Sequence, residues 1–362
     1  ILIHPSVLNA FDTGDGHDFN GAFTYVAPYY KDLDLMIANL EVPLVDPEDG
    51  YEYSSNPFAS PDAVAEALKN AGVDICLTAN NHTYDMGNYG LMRTQEVLDS
   101  LGIEYTGTRK DTSDSFILEK TVNDIKLGII CYTYENGPAN GSDHSLNYNP
   151  LNDEDIPRVN MFDYNDLETF YADAKEQLAK MEKDGCDVKI FYLHWGEEYE
   201  DYPNETQEEI AQELCDMGVD IIVGGHPHVV QAFDVLESGN GHQMLCLYSM
   251  GNELSNQRRD VMNEDDFRGY TEDGIIFIVH IDKYSDGKVV ISGADAIPTW
   301  VQKDDSFEII PLDPEKDPEE WDCDDPYMGV ESYNRTMGRL GEAFFSYRAE
   351  CGQSDIPQEQ YY

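Results

Sequence analysis

The sequence places histidine, asparagine and glutamate at the ends of several apolar runs. These candidate metal-site residues are Glu41, Asn81, His82, His194, His226 and His228. Imidazole, carboxylate and amide oxygen together suit zinc, manganese or iron better than calcium. A carboxylate can also hold two such ions about 4 Å apart. The residue types therefore predict a centre for two divalent transition-metal ions.

Each of these residues also has a purely structural explanation. A histidine at a strand end is more often a hydrogen-bonded structural residue than a ligand, and Asn81 alone could occupy a left-handed turn. Glu41 could be an ordinary acid in a helix or loop. The coincidence of ligand types at four strand ends favours the metal centre. In the turn Gly-Gly-His-Pro-His, His226 and His228 can point to neighbouring ions.

Alternating helix and strand patterns are expected to position these residues. Helical periodicity with one apolar face is present at 60–72, 91–102, 165–184 and 204–218. Ser60 is a candidate cap for the first helix, and Asn204 with Gln207 forms a capping box for the last. Strand-like runs follow at 74–79, 188–195 and 220–225. This alternation predicts an α/β fold with a largely parallel sheet, whose strands bind ligands at their carboxyl ends.

Later apolar runs have no helices between them, and the last part of the chain differs in composition. The runs at 244–250, 275–282 and 288–292 favour antiparallel pairing. The stretch 303–326 is rich in acid and proline, which predicts an irregular connection, and a helix is expected after it. Two units are predicted: a domain of residues 1–298 and an acidic, proline-containing extension of residues 299–362 packed on it.

Two segments of the chain resemble one another. Residues 71–82 (AGVDICLTANNH) and 217–228 (MGVDIIVGGHPH) align at a constant offset of 146. Each has a glycine where a helix ends, then Val-Asp-Ile, then a strand that ends near histidine. Chance explains the likeness as readily as a repeat does. In either case, both histidine clusters are expected at carboxyl ends of strands.

The charge of the chain limits its partners. It has 72 acidic and 22 basic residues, a formal net charge of −50. This field repels nucleic-acid phosphates and anionic lipid headgroups, so both are poor partners. A solvated acidic surface explains the charge, and export into a cation-rich medium is the alternative. The sequence shows neither a run of 18 apolar residues nor a signal peptide, and its start at ILIHPSV is compatible with removal of an upstream segment.

The seven cysteines do not form the pattern of a disulfide framework. Cys76, Cys131 and Cys246 lie in apolar runs, where a free thiol behaves as a small hydrophobe. Only Cys323 and Cys351, in the polar C-terminal segment, are candidates for pairing.

Six motifs, in chain order, resemble those of the CapA family. They are IANLEVPL, FASPDAV, TANNHTYDMG, LHWGEEY, GGHPHVVQ and YSMGN. CapA proteins are bacterial poly-γ-glutamate capsule synthesis proteins with a calcineurin-like metallophosphoesterase fold, and the resemblance covers residues 1–298. It implies a sandwich of mixed sheets flanked by helices. It also implies an extracellular or cell-surface protein of capsule or poly-γ-glutamate synthesis.

The resemblance also implies roles for the site residues. The metal ligands would be Glu41 as the bridging carboxylate, Asn81, His194 and His226 on one ion, and His228 on the other. His82 would be the acid beside the leaving group or a stabiliser of developing negative charge. The family usually begins with a strand that ends in Gly-Asp, and this chain begins with what resembles the following residues, so His4 is the stand-in for that aspartate. The substrate-binding candidates are His4, Asn80, Glu198 and Asn252.

Two functions are compatible with this resemblance. The first is a metal-dependent hydrolase of phosphoester or amide bonds, acting on an anionic extracellular polymer or a phosphoester. The second is a non-catalytic component of a poly-γ-glutamate synthesis and export complex at the membrane. An acidic chain attracts a polyanion only through bound metal or a basic patch, for which the candidates are Arg258, Arg259 and Arg268. Serine-nucleophile and phosphate-loop chemistry are not supported, because GxSxG and Walker motifs are missing from the sequence.

Overall fold

Parallel strands form the centre of the fold, a computed structural model that describes residues 1–55, 57–262, 269–304 and 306–360. Within these ranges the helices are α1 (Pro5–Ala10), α2 (Ala27–Asp32), α3 (Ala63–Ala71), α4 (Gly87–Leu101), α5 (Leu167–Lys183), α6 (Glu205–Met217) and α7 (Pro326–Glu350). The four helices expected from periodicity are α3 to α6. Of the helices in these ranges, none combines the length and the apolar character that crossing a membrane requires.

The strands belong to three main sheets and two short hairpins. They are β1 (Ile37–Asn39), β2 (Ser54–Ser55), β3 (Phe58–Ala59), β4 (Ile75–Leu77), β5 (Glu104–Thr106), β6 (Leu118–Val122), β7 (Ile125–Tyr134), β8 (Ser145–Leu146), β9 (Asn149–Pro150), β10 (Met161–Phe162), β11 (Val188–His194), β12 (Ile221–Gly225), β13 (Phe233–Glu237), β14 (Gln243–Leu247), β15 (Asp273–Lys283), β16 (Val289–Lys303) and β17 (Phe307–Pro311). The hairpins are β2–β3 and β8–β9.

The three main sheets differ in topology. The first, β1-β4-β5, is parallel, and the third, β15-β16-β17, is antiparallel. The second has the order β10-β7-β11-β12-β14-β13 with β6 also paired to β7, and it is parallel except at β6 and β13. The predicted α/β class with mixed sheets flanked by helices is confirmed. One pairing prediction is only partly right, because β14 of the 244–250 run is antiparallel to β13 but parallel to β12.

The layers pack because residues of a strand alternate between two faces. In β11, Phe191 and Leu193 join a cluster with Leu178 of α5. Ile190 packs instead in a cluster with Ile75 of the first sheet. The second sheet is therefore covered by helices on one face and by residues of the first and third sheets on the other.

The two similar segments adopt the same local structure. Gly72 and Gly218 end α3 and α6 in the left-handed region, with φ of 113° and 95°. Two residues later, Asp74 and Asp220 each accept a backbone N–H from a neighbouring strand segment, at 2.9 and 2.8 Å. This shared pattern fixes where β4 and β12 begin, and hence where their carboxyl ends lie.

The two predicted helix caps have different outcomes. The capping box is confirmed, because Asn204 accepts from the Gln207 N–H at 2.9 Å and Gln207 accepts from the Asn204 N–H at 3.1 Å. Ser60 as a cap is wrong, since α3 begins only at Ala63. Ser60 instead lies in extended backbone that bridges Leu44.

The C-terminal extension is continuous with the third sheet. The boundary expected between residues 298 and 299 falls inside β16, and β17 lies in the 303–326 stretch predicted to be irregular. That local prediction is wrong because Phe307 and Ile309 are buried in an antiparallel ladder with β16. The expected helix is α7, which buries Phe344. The division into a domain and an extension packed on it stays a prediction.

All seven cysteines are free. Cys76, Cys131 and Cys246 are fully buried in β4, β7 and β14, as their apolar context predicts. The suggested pairing of Cys323 with Cys351 is wrong, because α7, which is 25 residues long, lies between them in the chain.

Candidate metal centre

The predicted ligands follow parallel strands of two packed sheets. Glu41 follows β1 and Asn81 follows β4, whereas His194 ends β11 and His226 follows β12 directly. The His194 and His226 ring centroids are 5.0 Å apart, and those of His226 and His228 are 6.1 Å apart. The five residues therefore meet at the carboxyl ends of the strands.

Glu41 lies at the centre of this group. Its Oε1 is 3.5 Å from His194 Nε2 and 3.8 Å from His228 Nε2. His194 Nε2 is also 2.9 Å from Asn81 Oδ1. The Asn39 amide donates to Glu41 Oε2 at 2.9 Å, which orients the carboxylate. This arrangement leaves Oε1 directed toward the imidazoles.

The Gly-Gly-His-Pro-His turn brings two imidazoles to one place. His226 and His228 have φ of 100° and 57°, in the left-handed region. Such non-glycine conformations cost of order 1–3 kcal/mol each and are concentrated at functional sites. A Cβ on Gly224 would lie 2.0 Å from the Tyr248 carbonyl oxygen, so β12 requires glycine there. The turn predicted from the sequence is therefore present, with backbone strain at both histidines.

The chemistry of the buried donors fits divalent metal ions. Burial, assisted by His228, lowers the pKa of His226 to about 3, and burial lowers the pKa of His194 well below its usual range. Both imidazoles are thus neutral, the form that binds metals. Glu41 Oε1, His194 Nδ1 and His226 Nδ1 are buried without a hydrogen-bond partner among the described residues. Orphaned buried polar groups cost about 1–3 kcal/mol each, a cost that metal coordination would remove.

The donors form two overlapping groups. Glu41, His194 and His226 offer ligand atoms that all lie within 4.8 Å of one another. Glu198, His226 and His228 form a second such group. Two ions could therefore be held side by side, with His226 in both groups.

His82 lies beside this centre and is held by Asp85. Its Nδ1 is 2.9 Å from Asp85 Oδ2, which also accepts the Phe58 N–H at 2.9 Å. Asn149 donates to the other Asp85 oxygen at 3.0 Å. Burial lowers the pKa of His82, but the Asp85 hydrogen bond and the nearby carboxylate of Glu41 outweigh it, so the pKa is raised overall. Sequence analysis missed Asp85, although its spacing of three from His82 is visible in TANNHTYDMG.

Asp85→Asn is expected to lower the pKa of His82 below its ordinary value. The substitution removes the charge that stabilises the imidazolium and leaves the burial that disfavours it. An NMR titration of the His82 ring in the metal-free protein measures this. Asp153→Asn, at an exposed acid, is the control and should leave the pKa of His82 unchanged. An unaltered His82 pKa in Asp85→Asn would show that Asp85 does not hold the proton on His82.

Two predicted substrate-binding residues are buried beneath the centre. Asn80 is 1% exposed, donates to the Leu40 carbonyl at 2.9 Å and accepts from the His82 N–H at 3.1 Å. Asn252 is 5% exposed, and its Oδ1 is 3.0 Å from His228 Nδ1. Their amides are committed to the backbone and side chains beneath the candidate ligands, and substrate binding by either residue stays a prediction.

His4 lies at the edge of the centre. Its ring centroid is 5.5 Å from that of Phe58, which is 4.6 Å from that of His82. Its Nδ1 accepts the Asn256 N–H at 3.3 Å. Burial, together with the nearby His228, lowers its pKa to about 4. Neither group of close ligand atoms among the described residues includes His4. His4 therefore forms part of the wall of the site, and the structure gives no support to His4 as a stand-in for the aspartate ligand.

The arginines proposed as a basic patch have structural partners. Arg258 is 8% exposed and lies over the Trp300 ring at 6.0 Å. Arg259 pairs with buried Glu272 at 3.0 Å. The patch is therefore wrong for these two residues, and Arg268 lies outside the described residues.

The fold and these donors define an α/β protein with a candidate dinuclear metal centre. The family model for the bacterial capsule synthesis protein PGA_cap matches residues 1–257, so the chain belongs to this family. The resemblance to CapA is thereby confirmed.

Two curated relatives agree with this family. The capsule biosynthesis protein CapA of Bacillus anthracis is 29% identical over 243 residues, 65% of this chain and 54% of the relative. The PGA biosynthesis protein CapA of Bacillus subtilis (strain 168) is 26% identical over 292 residues, 78% of this chain and 67% of the relative. The chain thus spans about half to two thirds of the length of these relatives.

One solved structure with a related chain path is the calcineurin-like phosphoesterase YfkN from Bacillus subtilis. It is 14% identical, with a TM-score of 0.43 over 82% of this chain and 87% of that one. A likeness of this size assigns neither an activity nor a site.

Proposed function

We propose that the chain is a metal-dependent hydrolase of phosphoester or amide bonds that acts in capsule polymer synthesis or processing. The observation that carries the proposal is the convergence of buried, partly unpartnered donors from Glu41, His194 and His226 beside an oriented His82. Strained histidines and perturbed pKa values concentrated in one place support a reactive centre more than a scaffold.

Each part of the centre has a chemical task in this proposal. Glu41, Asn81 and the three histidines would hold two divalent ions, of manganese, zinc or iron. Bound there, such ions supply Lewis-acid activation of water and of the scissile group. His82 carries a proton, and because Asp85 engages its Nδ1, Nε2 is the nitrogen that delivers it to the leaving group. The raised pKa of His82 suits a general acid.

The biological role follows from the family. Relatives named for capsule and PGA biosynthesis support a substrate in an anionic, extracellular polymer such as poly-γ-glutamate, or a phosphoester formed with it. In this proposal the protein acts outside the cell or at its surface, near the complex that makes the polymer. Neither nucleic acid nor an anionic membrane suits a chain with a net charge of −50.

One observation favours a non-catalytic assembly component instead. Glu197 and Glu198 are exposed beside the centre, and two of the candidate arginines, Arg258 and Arg259, are paired with buried Glu272. An acidic rim repels a polyanion unless bound ions reverse its potential. In this second function the metal centre would only stabilise the fold and the surface that contacts the other components of the assembly.

Turnover with and without His82 separates the two functions. The purified protein, loaded with Mn²⁺ or Zn²⁺, is expected to cleave an aryl phosphodiester, an aryl phosphomonoester or poly-γ-glutamate itself. His82→Ala should lower kcat by about 10²–10⁴-fold and keep its metal content, measured by elemental analysis. Metal-loaded wild type that cleaves none of these substrates would favour the assembly component.

A further inference from the structure

The segment that follows β11 folds back onto the histidine turn. The Trp195 N–H donates to the Gly225 carbonyl at 3.0 Å, and the Tyr199 N–H donates to the Pro227 carbonyl at 2.8 Å. The Tyr199 ring stacks on His228 with centroids 6.0 Å apart. Residues 195–199 are thus pinned at both ends along the turn.

This pinning depends on unusual backbone conformations. Gly196 has a φ of 85°, and a Cβ there would lie 2.7 Å from the Gln207 side-chain oxygen. Tyr199 has a φ of 66°, which is strained for an aromatic residue. Such backbone strain is concentrated at functional sites and is not expected in a loop that only connects two elements. Its consequence is to hold the backbone of Glu198 beside His226 and His228.

We propose that Glu198 is a ligand of the second metal ion and does not bind substrate. Its carboxylate and ligand atoms of His226 and His228 all lie within 4.8 Å of one another. His226 Nδ1 is buried and has no hydrogen-bond partner among the described residues. This group therefore contains a nitrogen whose polar interaction a metal ion would satisfy. The inference rests on the metal centre of the proposed function and adds a residue to it.

Charge gives a second reason for this assignment. A pair of divalent cations carries four positive charges, and the imidazoles and the Asn81 amide are neutral. Glu41 alone supplies one negative charge to the shared centre. Glu198 supplies another at the second group, where His226 and His228 are neutral ligands and Glu198 is the only carboxylate of the three residues. Because Glu198 is exposed, this ligand can leave and return without unfolding the core.

Calorimetric titration of the EDTA-treated full chain with Mn²⁺ tests the assignment. Wild type is expected to bind two ions, whereas Glu198→Gln should bind one as before and the second about 10–100-fold more weakly. Glu197→Gln is the matched control, since Glu197 is the exposed neighbour in neither ligand group, and it should behave as wild type. The exchange-coupled electron paramagnetic resonance spectrum of a manganese pair should be lost selectively in Glu198→Gln at subsaturating Mn²⁺.

The outcomes separate this inference from the proposed function. Two sites of unchanged affinity in Glu198→Gln would overturn the assignment, as would equal weakening in Glu197→Gln. Wild type that binds two ions but turns over no substrate would remove the hydrolase and leave the ligand assignment standing. Wild type that binds no Mn²⁺ or Zn²⁺ would remove both.

Discussion

Glu41→Gln is expected to abolish tight binding of both metal ions while stabilising the metal-free protein. Glu41 Oε1 lies within 3.8 Å of two imidazoles and is buried without a partner among the described residues. Glutamine keeps the acceptor for the Asn39 amide and replaces the charged oxygen with an N–H donor. The metals lose their bridging carboxylate, so affinity should fall by about 100-fold or more.

The metal-free variant is expected to be more stable than metal-free wild type, because a buried carboxylate without its ions destabilises the fold. Relieving one buried, unpartnered charged oxygen is worth about 1–3 kcal/mol. Thermal unfolding in EDTA should therefore show a higher Tm for Glu41→Gln than for wild type. Added Mn²⁺ should raise the Tm of wild type and leave that of the variant unchanged, since a ligand stabilises only the state that it binds. Glu197→Gln should resemble wild type in both titrations, and a variant Tm that still rises with Mn²⁺ would count against Glu41 as the bridge.

Arg335→Leu is expected to destabilise the protein by about 3–5 kcal/mol, the usual cost of breaking a buried ion pair. Arg335 of α7 makes two hydrogen bonds of 2.7 Å to Asp273, which is 2% exposed and also accepts from Ser332 at 2.6 Å. Leucine would leave this carboxylate charged and unpaired. The Asp273 carbonyl also accepts the Asn252 N–H, so the change reaches the residue that orients His228.

The loss should also depend on pH. Burial already raises the pKa of Asp273, and Arg335 opposes that rise. Without Arg335 the pKa of Asp273 in the folded state rises further above its value in the unfolded state. The variant therefore loses stability as the pH rises from the unfolded-state pKa through the folded-state pKa. In urea unfolding, the free energy of unfolding of the variant should therefore differ less from that of wild type near pH 5 than near pH 7.5.

A double-mutant cycle provides the control for this ion pair. Adding Asp273→Asn to Arg335→Leu removes the unpaired charge and should recover most of the loss. Lys180→Ala breaks an exposed pair with Glu176 and should cost at most about 0.5 kcal/mol. A loss below about 1 kcal/mol in Arg335→Leu would show that water or another cation reaches Asp273.

Sequence was sufficient where function depends on position along a strand. The positions of Glu41, Asn81 and His194 follow from apolar runs that end abruptly, because carboxyl ends of parallel strands meet at one edge. Even the turn at His226 was predictable from its glycines. These are local sequence patterns, and each of them places its residue at the same edge of the packed sheets.

Sequence was insufficient where a role depends on which partner a side chain meets. Asn80 and Asn252 have the same residue type as the candidate ligand Asn81, yet their amides are committed beneath the centre. Arg258 and Arg259 looked like a surface patch because Glu272, the buried acid that pairs with both, is well separated from them in the sequence. Asp85 was visible, but a spacing of three residues does not by itself show that its carboxylate contacts His82.

The free thiols give the chain internal reporters of local opening. Burial raises the pKa of Cys76 and Cys131 to about 12, and that of Cys323 likewise to about 12. Only the thiolate reacts with alkylating reagents, so the fully buried Cys76 and Cys131 are labelled only when their surroundings open, whereas Cys323 is partly exposed. Cys76 is in the first sheet, Cys131 in the second and Cys323 just before α7. The order in which Cys76 and Cys131 are labelled therefore shows whether the first sheet opens before the second or together with it.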